Sequence, residues 1–280
     1  MRRLWQASAI FVFVSGALVA ATANAPKLTQ EEQEKFLETA KIVSRRIATG
    51  GITGTSRITL SDGRLTHDAH VQTIDVYKPV YRTKEFVEKD FRDSYKYNIA
   101  AYRVAKLLKL ENTPPCVLRE VDTKPSSVCW WVDNVQFDEA ARRDKKLEPP
   151  DPEFWTRQLN NIRVFDQLID NTDRNQGNLL IDNDWKLWMI DHSRAFRSTM
   201  VLRKPENLKR VSRAMLEAMR ALTMEQAKPE LRQFLTDPEI QTMFVRRDLI
   251  LKLFETQVSE NGADAVYTDM PRKTPQVSIP

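Results

Sequence analysis

The spacing of apolar residues predicts strands in the first half of this chain and helices in the second. Residues 70–77 alternate apolar and polar as a half-buried strand does, and two β-like runs follow at 115–121 and 128–132. Apolar residues recur at helical spacing over 94–110. Further helices are predicted at 29–48, 135–147, 152–170, 205–222, 228–235 and 238–258. The first of these helices opens on the capping-box pattern Thr29-Gln30-Glu31-Glu32.

Between residues 171 and 196 the pattern predicts a tight β-hairpin. Its strands cover 179–181 and 185–190, with a turn of polar residues between them. Because a hairpin folds its two ends together, Asn178 and Asp191 are expected to lie side by side at the open end.

The hairpin follows a loop that contains Asp173, and this grouping predicts a phosphate-handling site. Asn178 and Asp191 offer oxygen ligands to Mg²⁺, which keeps waters and bridges phosphates without a full protein cage. Asp173 is placed to accept or orient the proton of an attacking hydroxyl. A structural alternative makes Asp173 a turn residue and Asp191 a buried partner of Arg174 or Arg194.

The first 25 residues have the features of a secretory signal peptide. Arg2 and Arg3 precede an apolar run at 7–21, and Ala23-Asn24-Ala25 is a small-x-small cleavage signal. The chain is therefore predicted to be exported, to a periplasm or out of the cell, and to contact a membrane only if this leader stays uncleaved. Removing Arg2 and Arg3 lowers the formal net charge of +5 to about +3, too mild an excess to indicate nucleic-acid binding.

The mature chain is long enough for two lobes around a cleft. We predict a β-rich N-terminal lobe at 26–133 with one embedded helix, a helical C-terminal lobe at 134–260 that carries the hairpin, and a loose tail at 261–280. The fold class is therefore α+β.

Two cysteines lie in the paired β-like runs of this exported chain. If the runs fold back near Asp122 or Thr123, the sulfurs of Cys116 and Cys129 face each other across the strands. A disulfide and two buried thiols both remain open, because opposed cysteines in a hairpin are geometrically demanding.

Several classes of protein have no support in the sequence. Gly-x-Ser-x-Gly, a zinc-ligand cluster and Gly-x-x-x-x-Gly-Lys are all absent, which argues against hydrolase, metalloprotease and P-loop functions. A basic run after Asp191 either attracts an acidic or phosphorylated substrate or forms a solvated helix face. Its members are Arg197, Arg203, Lys204, Lys209, Arg210 and Arg213.

The loop and the hairpin together resemble a known superfamily. Asp173-Arg174-Asn175 and the run from Ile190 to Phe196, Ile-Asp-His-Ser-Arg-Ala-Phe, are similar to the catalytic and metal-binding loops of atypical kinase-like proteins. That branch includes phosphoinositide lipid kinases, HipA-type kinases and secretory-pathway kinases related to four-jointed. The resemblance implies a bilobal kinase-like fold that uses ATP with Mg²⁺ or Mn²⁺. It implies Asp173 as the base or positioning group, Arg174 as its support, and Asn178 and Asp191 as metal ligands.

The first half departs from the pattern of this superfamily. Gln72 stands where a phosphate-binding Lys is expected, and Asn98 stands where a helix Glu normally orients that Lys. If both positions correspond, a neutral amide pair replaces an ion pair and supplies no cation to the cleft.

A substitute cation is then required if the chain is active. Arg57 and Lys78 are the candidates for it. Gly51 and Gly54 either let backbone amides approach phosphates or merely end the first helix.

Three functions remain open from the sequence. The first is an exported phosphotransferase that moves the ATP γ-phosphoryl group to a hydroxyl of a protein, lipid, sugar or other small molecule. The second is a pseudokinase or nucleotide-binding module without turnover. The third is a secreted structural or binding protein whose motif is coincidental.

Overall fold

The structure is a computed structural model, and it describes residues 28–47, 55–84 and 87–268. Its strands are β1 (Lys41–Ile47), β2 (Ser56–Ser61), β3 (Thr66–Gln72), β4 (Asp75–Arg82), β5 (Val87–Ser94), β6 (Cys116–Val121), β7 (Lys124–Trp130), β8 (Val135–Asp138), β9 (Leu179–Asp182) and β10 (Leu187–Met189). Its helices are α1 (Gln30–Thr39), α2 (Tyr95–Leu107), α3 (Glu139–Asp144), α4 (Pro152–Leu168), α5 (Arg213–Ala221), α6 (Met224–Leu231), α7 (Asp237–Asn261) and α8 (Ala263–Val266). The chain therefore has the predicted α+β architecture, strand-rich at first and helical later.

The N-terminal lobe is built on an antiparallel five-stranded sheet in the order β1-β2-β3-β7-β6. Strands β6 and β7 form the predicted hairpin, and its two-residue turn is Asp122-Thr123, with φ of 51° and 63°. Positive φ at both positions is typical of the type I′ turn that matches strand twist. Cys116 lies directly opposite Cys129, and the two form a disulfide.

Helix α1 begins as predicted and ends earlier. Thr29 Oγ1 accepts a hydrogen bond from the Glu32 backbone and Thr29 N donates to Glu32 Oε2, which completes the capping box. The prediction of a helix over 29–48 is wrong beyond Thr39, because Ala40 is extended and β1 follows. The β-branched pair Ile42 and Val43 and the available edge of β2 favour a strand there.

Two hydrophobic cores lie on opposite faces of the sheet. The smaller core joins α1 to the sheet, and the larger one extends from α2 through α4 to the C-terminal helices. Neighbouring residues of β6 divide between them: Cys116 faces the larger core and Val117 the smaller. This division follows from the alternation of side chains along a strand.

A two-stranded ribbon, β4 with β5, leaves the sheet after β3. It delivers the chain directly to α2, whose N-cap Ser94 accepts a hydrogen bond from the Lys96 backbone. The ribbon thus places its last residues beside the first turn of α2.

The second half contains three corrections to the predicted elements. Residues 135–138 are β8, which pairs with β9, so the helix predicted from 135 begins only at Glu139. The helix predicted from 205 is α5 and begins at Arg213. A loose tail was predicted from residue 261, but the chain forms regular structure beyond that point. Helix α8 follows, and Tyr267 forms a β-bridge with Val211.

Some predictions fall outside the described residues. These are the signal peptide at 1–25, the glycines Gly51 and Gly54, and the last residues of the tail. Among the described helices, none combines the length and the apolar character needed to cross a bilayer.

Candidate catalytic and metal-binding site

The β9–β10 hairpin brings Asn178 and Asp191 together at its open end. Leu179 pairs with Met189, and Ile190 N donates to Asn178 O at 3.1 Å, one step further along the ladder. Asn178 and Asp191 therefore lie next to each other at the open end of the hairpin, as the sequence predicted.

Arg174 fastens the loop before the hairpin to both strands and to α4. Its Nε and Nη2 donate to the Asp166 carboxylate at 3.0 Å each. Its Nη1 donates to the backbone oxygens of Asn178 at 3.0 Å and Ile190 at 2.8 Å. Such a planar fork holds a carboxylate and two carbonyls at once, which a lysine cannot do.

Asp173 lies in the loop that Arg174 holds in place. Its backbone N donates to Asn171 Oδ1 at 3.1 Å, and its carbonyl accepts from Asn178 Nδ2 at 3.1 Å. Because Nδ2 is engaged in this way, Oδ1 is the atom that Asn178 leaves available as an acceptor. The loop thus holds the backbone of Asp173 and the side-chain amide of Asn178 in place.

Asp191 is exposed and has a left-handed backbone, with φ of 51°. Such a conformation costs energy in a non-glycine residue and clusters at functional sites. The structure does not show the alternative in which Asp191 is a buried partner of Arg174 or Arg194. Arg174 pairs with Asp166, and Arg194 donates to Glu88 Oε2 at 2.6 Å.

The structure adds Asp93, which the sequence interpretation missed. It is the residue before the N-cap of α2, it is buried, and its Oδ1 has no hydrogen-bond partner among the residues that the structure describes. A carboxylate just before a helix is common, so nothing in the local sequence marks it as a site residue. The ribbon places it against the loop after Asp191, where Ser94 N donates to Ser193 O at 2.8 Å.

The three carboxylates influence one another electrostatically. Burial raises the pKa of Asp93, a hydrogen bond with Ser193 lowers it, and the charges of Asp191 and Asp173 raise it. Burial also raises the pKa of Asp173, Arg194 lowers it, and Asp191 raises it. Arg194 Nη1 lies 3.9 Å from Asp173 Oδ2. The cluster therefore carries more negative charge than its nearby cation balances, which favours a bound metal ion.

Gln72 and Asn98 contact each other as a neutral pair. Asn98 Nδ2 donates to Gln72 Oε1 at 2.5 Å, and Asn98 Oδ1 accepts from His192 N at 2.7 Å. Both amides are buried, and Gln72 Nε2 finds no hydrogen-bond partner within the described part of the chain. The amide pair thus links β3, α2 and the loop after Asp191 without a charged group.

The structure gives the two candidate cations other partners. Arg57 Nε donates to Asp68 Oδ2 at 2.6 Å, and its guanidinium lies 4.0 Å from the centroid of the Trp131 ring. Lys78 is exposed on the ribbon, with Nζ 4.6 Å from the centroid of the Tyr81 ring. Among the contacts of the described residues, none brings the charge of Arg57 or Lys78 to the Gln72–Asn98 pair.

The residues present would supply only part of the coordination of a metal ion. Within the described ranges, no three His, Cys, Asp or Glu side chains are gathered closely enough to hold an ion by themselves. A magnesium-type ion keeps several waters and phosphate oxygens in its coordination, so it does not need three protein ligands. The unpartnered oxygen of Asp93 and the oriented amide of Asn178 are the observations that fit such an ion.

The fold is bilobal and kinase-like. The confirmation comes from solved structures. The hydra Fam20 structure with sugar superposes with a TM-score of 0.64 at 13% identity, covering 85% of this chain and 91% of the other. The Golgi casein kinase with Mn/ADP bound gives a TM-score of 0.60 at 14% identity, covering 85% and 78%. The Helicobacter pylori proinflammatory kinase CtkA gives 0.51 at 11%, covering 81% and 99%.

These similarities establish the fold alone, because the sequence identities are only 11% to 14%. No protein-family model matches the chain, and no curated protein matches it by sequence. The roles of individual residues therefore depend on the geometry of this chain.

Proposed function

We propose that this protein is an exported phosphotransferase that moves the γ-phosphoryl group of ATP to a hydroxyl, with Mg²⁺ or Mn²⁺. The observation that carries the proposal is the convergence of Asp173, Asn178 and Asp191 at the open end of the hairpin, with the buried carboxylate of Asp93 beside them. The kinase-like fold supports the reaction class, and Mn/ADP in the Golgi casein kinase supports the cofactors.

In the proposed step the acceptor hydroxyl attacks the γ-phosphorus. A new O–P bond forms while the bond between this phosphorus and the β,γ-bridging oxygen breaks, and ADP leaves with that electron pair. Asp173 takes the hydroxyl proton. Asn178, Asp191 and Asp93 would hold the metal ion, which would offset phosphate charge.

Two features support export. The predicted leader precedes the described residues, and the Cys116–Cys129 disulfide is typical of oxidising compartments. Detecting the mature protein with a new N-terminus at residue 26 in an exported fraction would test this.

The experiment has two stages. Thermal shift with ATP or ADP and Mg²⁺ or Mn²⁺ tests binding, because a ligand specific for the folded state raises the melting temperature. Phosphoryl transfer by wild type and Asp173→Ala then tests turnover, with an expected loss of at least about 100-fold if Asp173 is a general base. Asp184→Asn, at the opposite end of the same hairpin, is the matched control. Equal rates for wild type and Asp173→Ala would refute the assigned role.

A nucleotide-binding protein without turnover is the second candidate. The neutral pair of Gln72 and Asn98 favours it, since this pair brings no cation to the phosphates. Thermal stabilisation by Mg-ATP with no transfer or hydrolysis would support this candidate over the first. A Gln72→Lys, Asn98→Glu double variant that gains activity would show that the missing cation is the cause.

A further inference from the structure

A pocket of about 500 Å³ lies where α4, β10 and the loop from α2 to β6 meet. This size is within the range of small-ligand sites. Its lining does not include the residues assigned above to catalysis and metal binding, which are Asp93, Asp173, Asn178 and Asp191. The pocket is therefore a candidate site distinct from the one proposed for phosphoryl transfer.

The wall at β10 is closed to a further strand. β10 is an edge strand of its sheet, but Gln158 of α4 pairs with this edge. The side chain of Gln158 donates through Nε2 to Trp185 O at 3.0 Å and accepts through Oε1 from Leu187 N at 2.8 Å. Met189 N donates to Asn112 O at 2.8 Å. Because these backbone groups are already paired, the pocket suits a small molecule rather than an extended peptide.

Part of the lining is apolar. Phe154 and Ile162 lie about two helical turns apart on one side of α4. Leu110 of the α2–β6 loop and Met189 of β10 complete this part. Phe154 and Leu110 are partly exposed, so a ligand with an apolar body is stabilised by covering them.

The charged part of the lining has one positive group in excess. Its two carboxylates and three cations are Glu111, Asp184, Lys109, Arg157 and Lys186. Lys109 follows the end of α2 with a left-handed backbone, φ of 57°, and its side chain is exposed. An ammonium group in this position favours a ligand that carries a negative charge.

An occupant of the pocket would lie on a contact between the two lobes. Asn112 belongs to the N-terminal lobe and Met189 to the hairpin, and their backbones share the hydrogen bond given above. Two residues beyond Met189 the chain reaches Asp191, and Ile190 N between them donates to Asn178 O. A ligand that packs on Asn112 and Met189 is thus expected to stabilise the position of the hairpin against the N-terminal lobe.

We propose that this pocket binds a small amphipathic anion, a molecule with an apolar ring system and one carboxylate, sulfonate or phosphate group, and that the bound molecule strengthens the contact between the α2–β6 loop and the hairpin. Lys109 meets the anionic group, and Leu110, Phe154 and Ile162 contact the rings. The proposal concerns binding alone and stands whether or not the protein transfers phosphate.

Two fluorescent dyes with the same rings test the class of ligand. Anilinonaphthalene sulfonate carries an anionic group, and phenylnaphthylamine lacks it. With Mg-ADP present to occupy the proposed nucleotide site, wild type is expected to bind the sulfonate dye about 5-fold more tightly than the neutral dye, a typical effect of an exposed charge pair. The sulfonate dye is also expected to raise the melting temperature, because it binds the folded state.

Two results with wild type would overturn the proposal. The first is equal affinity for the two dyes, which removes the anionic group from recognition. The second is dye fluorescence without a rise in melting temperature, as a partly unfolded protein with exposed apolar surface gives.

Charge reversal at Lys109 locates the effect, and Lys146 offers a matched control. Both lysines follow the end of a helix with a left-handed backbone, φ of 57° and 53°, and both are exposed, but Lys146 does not line the pocket. Lys109→Glu is expected to remove the preference for the sulfonate dye, while Lys146→Glu keeps it. Circular dichroism checks that both variants fold. A preference that survives Lys109→Glu would overturn the site.

Phe154→Gln tests the apolar part of the lining. The start of α4 is retained, because the cap at Asp151 uses only the backbone N of Phe154, at 2.9 Å. Both dyes are expected to bind about 3-fold more weakly, as loss of an aromatic contact does. Unchanged affinity for both dyes would contradict the placement of the rings.

Hydrogen exchange tests the effect on the hairpin. With the sulfonate dye bound, the Met189 amide is expected to exchange more slowly, because opening of its hydrogen bond to Asn112 becomes less frequent. An exchange rate that the dye leaves unchanged would overturn the proposed strengthening of this contact.

Discussion

Replacing Asp93 by Asn separates the stability of the fold from metal binding. The side chain is buried, one oxygen lacks a hydrogen bond, and Asp173 and Asp191 repel its charge. Asn has nearly the same shape and no charge. Without metal, the variant is therefore expected to be more stable than wild type and to bind Mg-ATP more weakly.

The magnitude follows from the cost of the unsatisfied oxygen. A buried polar group without a partner costs about 1 to 3 kcal/mol, and the new amide still needs partners, so a gain of about 1 kcal/mol is expected. For a domain of this size, that gain raises the melting temperature by about 2 to 4 °C.

The pH dependence gives a second signature of Asp93. Because its pKa is raised in the folded state, folding retains its proton, and stability falls as pH rises from below the ordinary carboxylate pKa to above the raised one. Asp93→Asn is expected to remove this part of the decline.

The assay is differential scanning fluorimetry with EDTA and with a Mg-ATP titration, on wild type, Asp93→Asn and the exposed control Asp184→Asn. We expect Asp93→Asn to melt higher in EDTA and to gain less from Mg-ATP, while the control matches wild type. A variant that melts lower in EDTA and keeps the full Mg-ATP shift would refute the assignment of Asp93 as a charged metal ligand.

Three further predictions concern the loop, the hairpin of the sheet and the proposed base. Arg174→Gln is expected to lower the free energy of unfolding by about 3 kcal/mol, as loss of one partner of a buried ion pair does, and urea titration measures it. Reducing the Cys116–Cys129 disulfide is expected to cost about 3 kcal/mol in urea, given the short loop it closes, with no effect of reductant on a double Ser variant. If Asp173 is the base, the acid limb of the pH profile of kcat/KM lies above the ordinary pKa of an Asp. Because Arg194 lowers the pKa of Asp173, Arg194→Gln is expected to move this limb to still higher pH. A limb that does not move would contradict the role of Asp173 as base.

The hairpin could be predicted from sequence because its cause is local. Alternating residues on either side of a polar turn place Asn178 beside Asp191 whatever the rest of the chain does. The same reasoning located the Cys116–Cys129 register. It could not decide between disulfide and thiols, which depends on the distance across the strands.

Asp93 could not be predicted because its environment is assembled from distant segments. Its neighbours Asp173 and Asp191 come from the C-terminal lobe, and no spacing rule relates them to a strand end some eighty residues earlier. The strand β1 was missed for a related reason. The helical pattern of α1 continues past Thr39 in the sequence, and the decisive contact is the edge of β2, which is not adjacent in sequence to that helix.

The connection between α2 and the loop after Asp191 has a consequence for how the fold responds to salt and pH. Asn98 Oδ1 accepts from His192 N, and Ser94 N donates to Ser193 O, so both links are uncharged. Ionic strength weakens exposed ion pairs and acid breaks pairs that need a carboxylate, whereas amide and backbone hydrogen bonds are insensitive to both. Helix α2 is therefore expected to keep its position against the loop after Asp191 across changes of salt and pH.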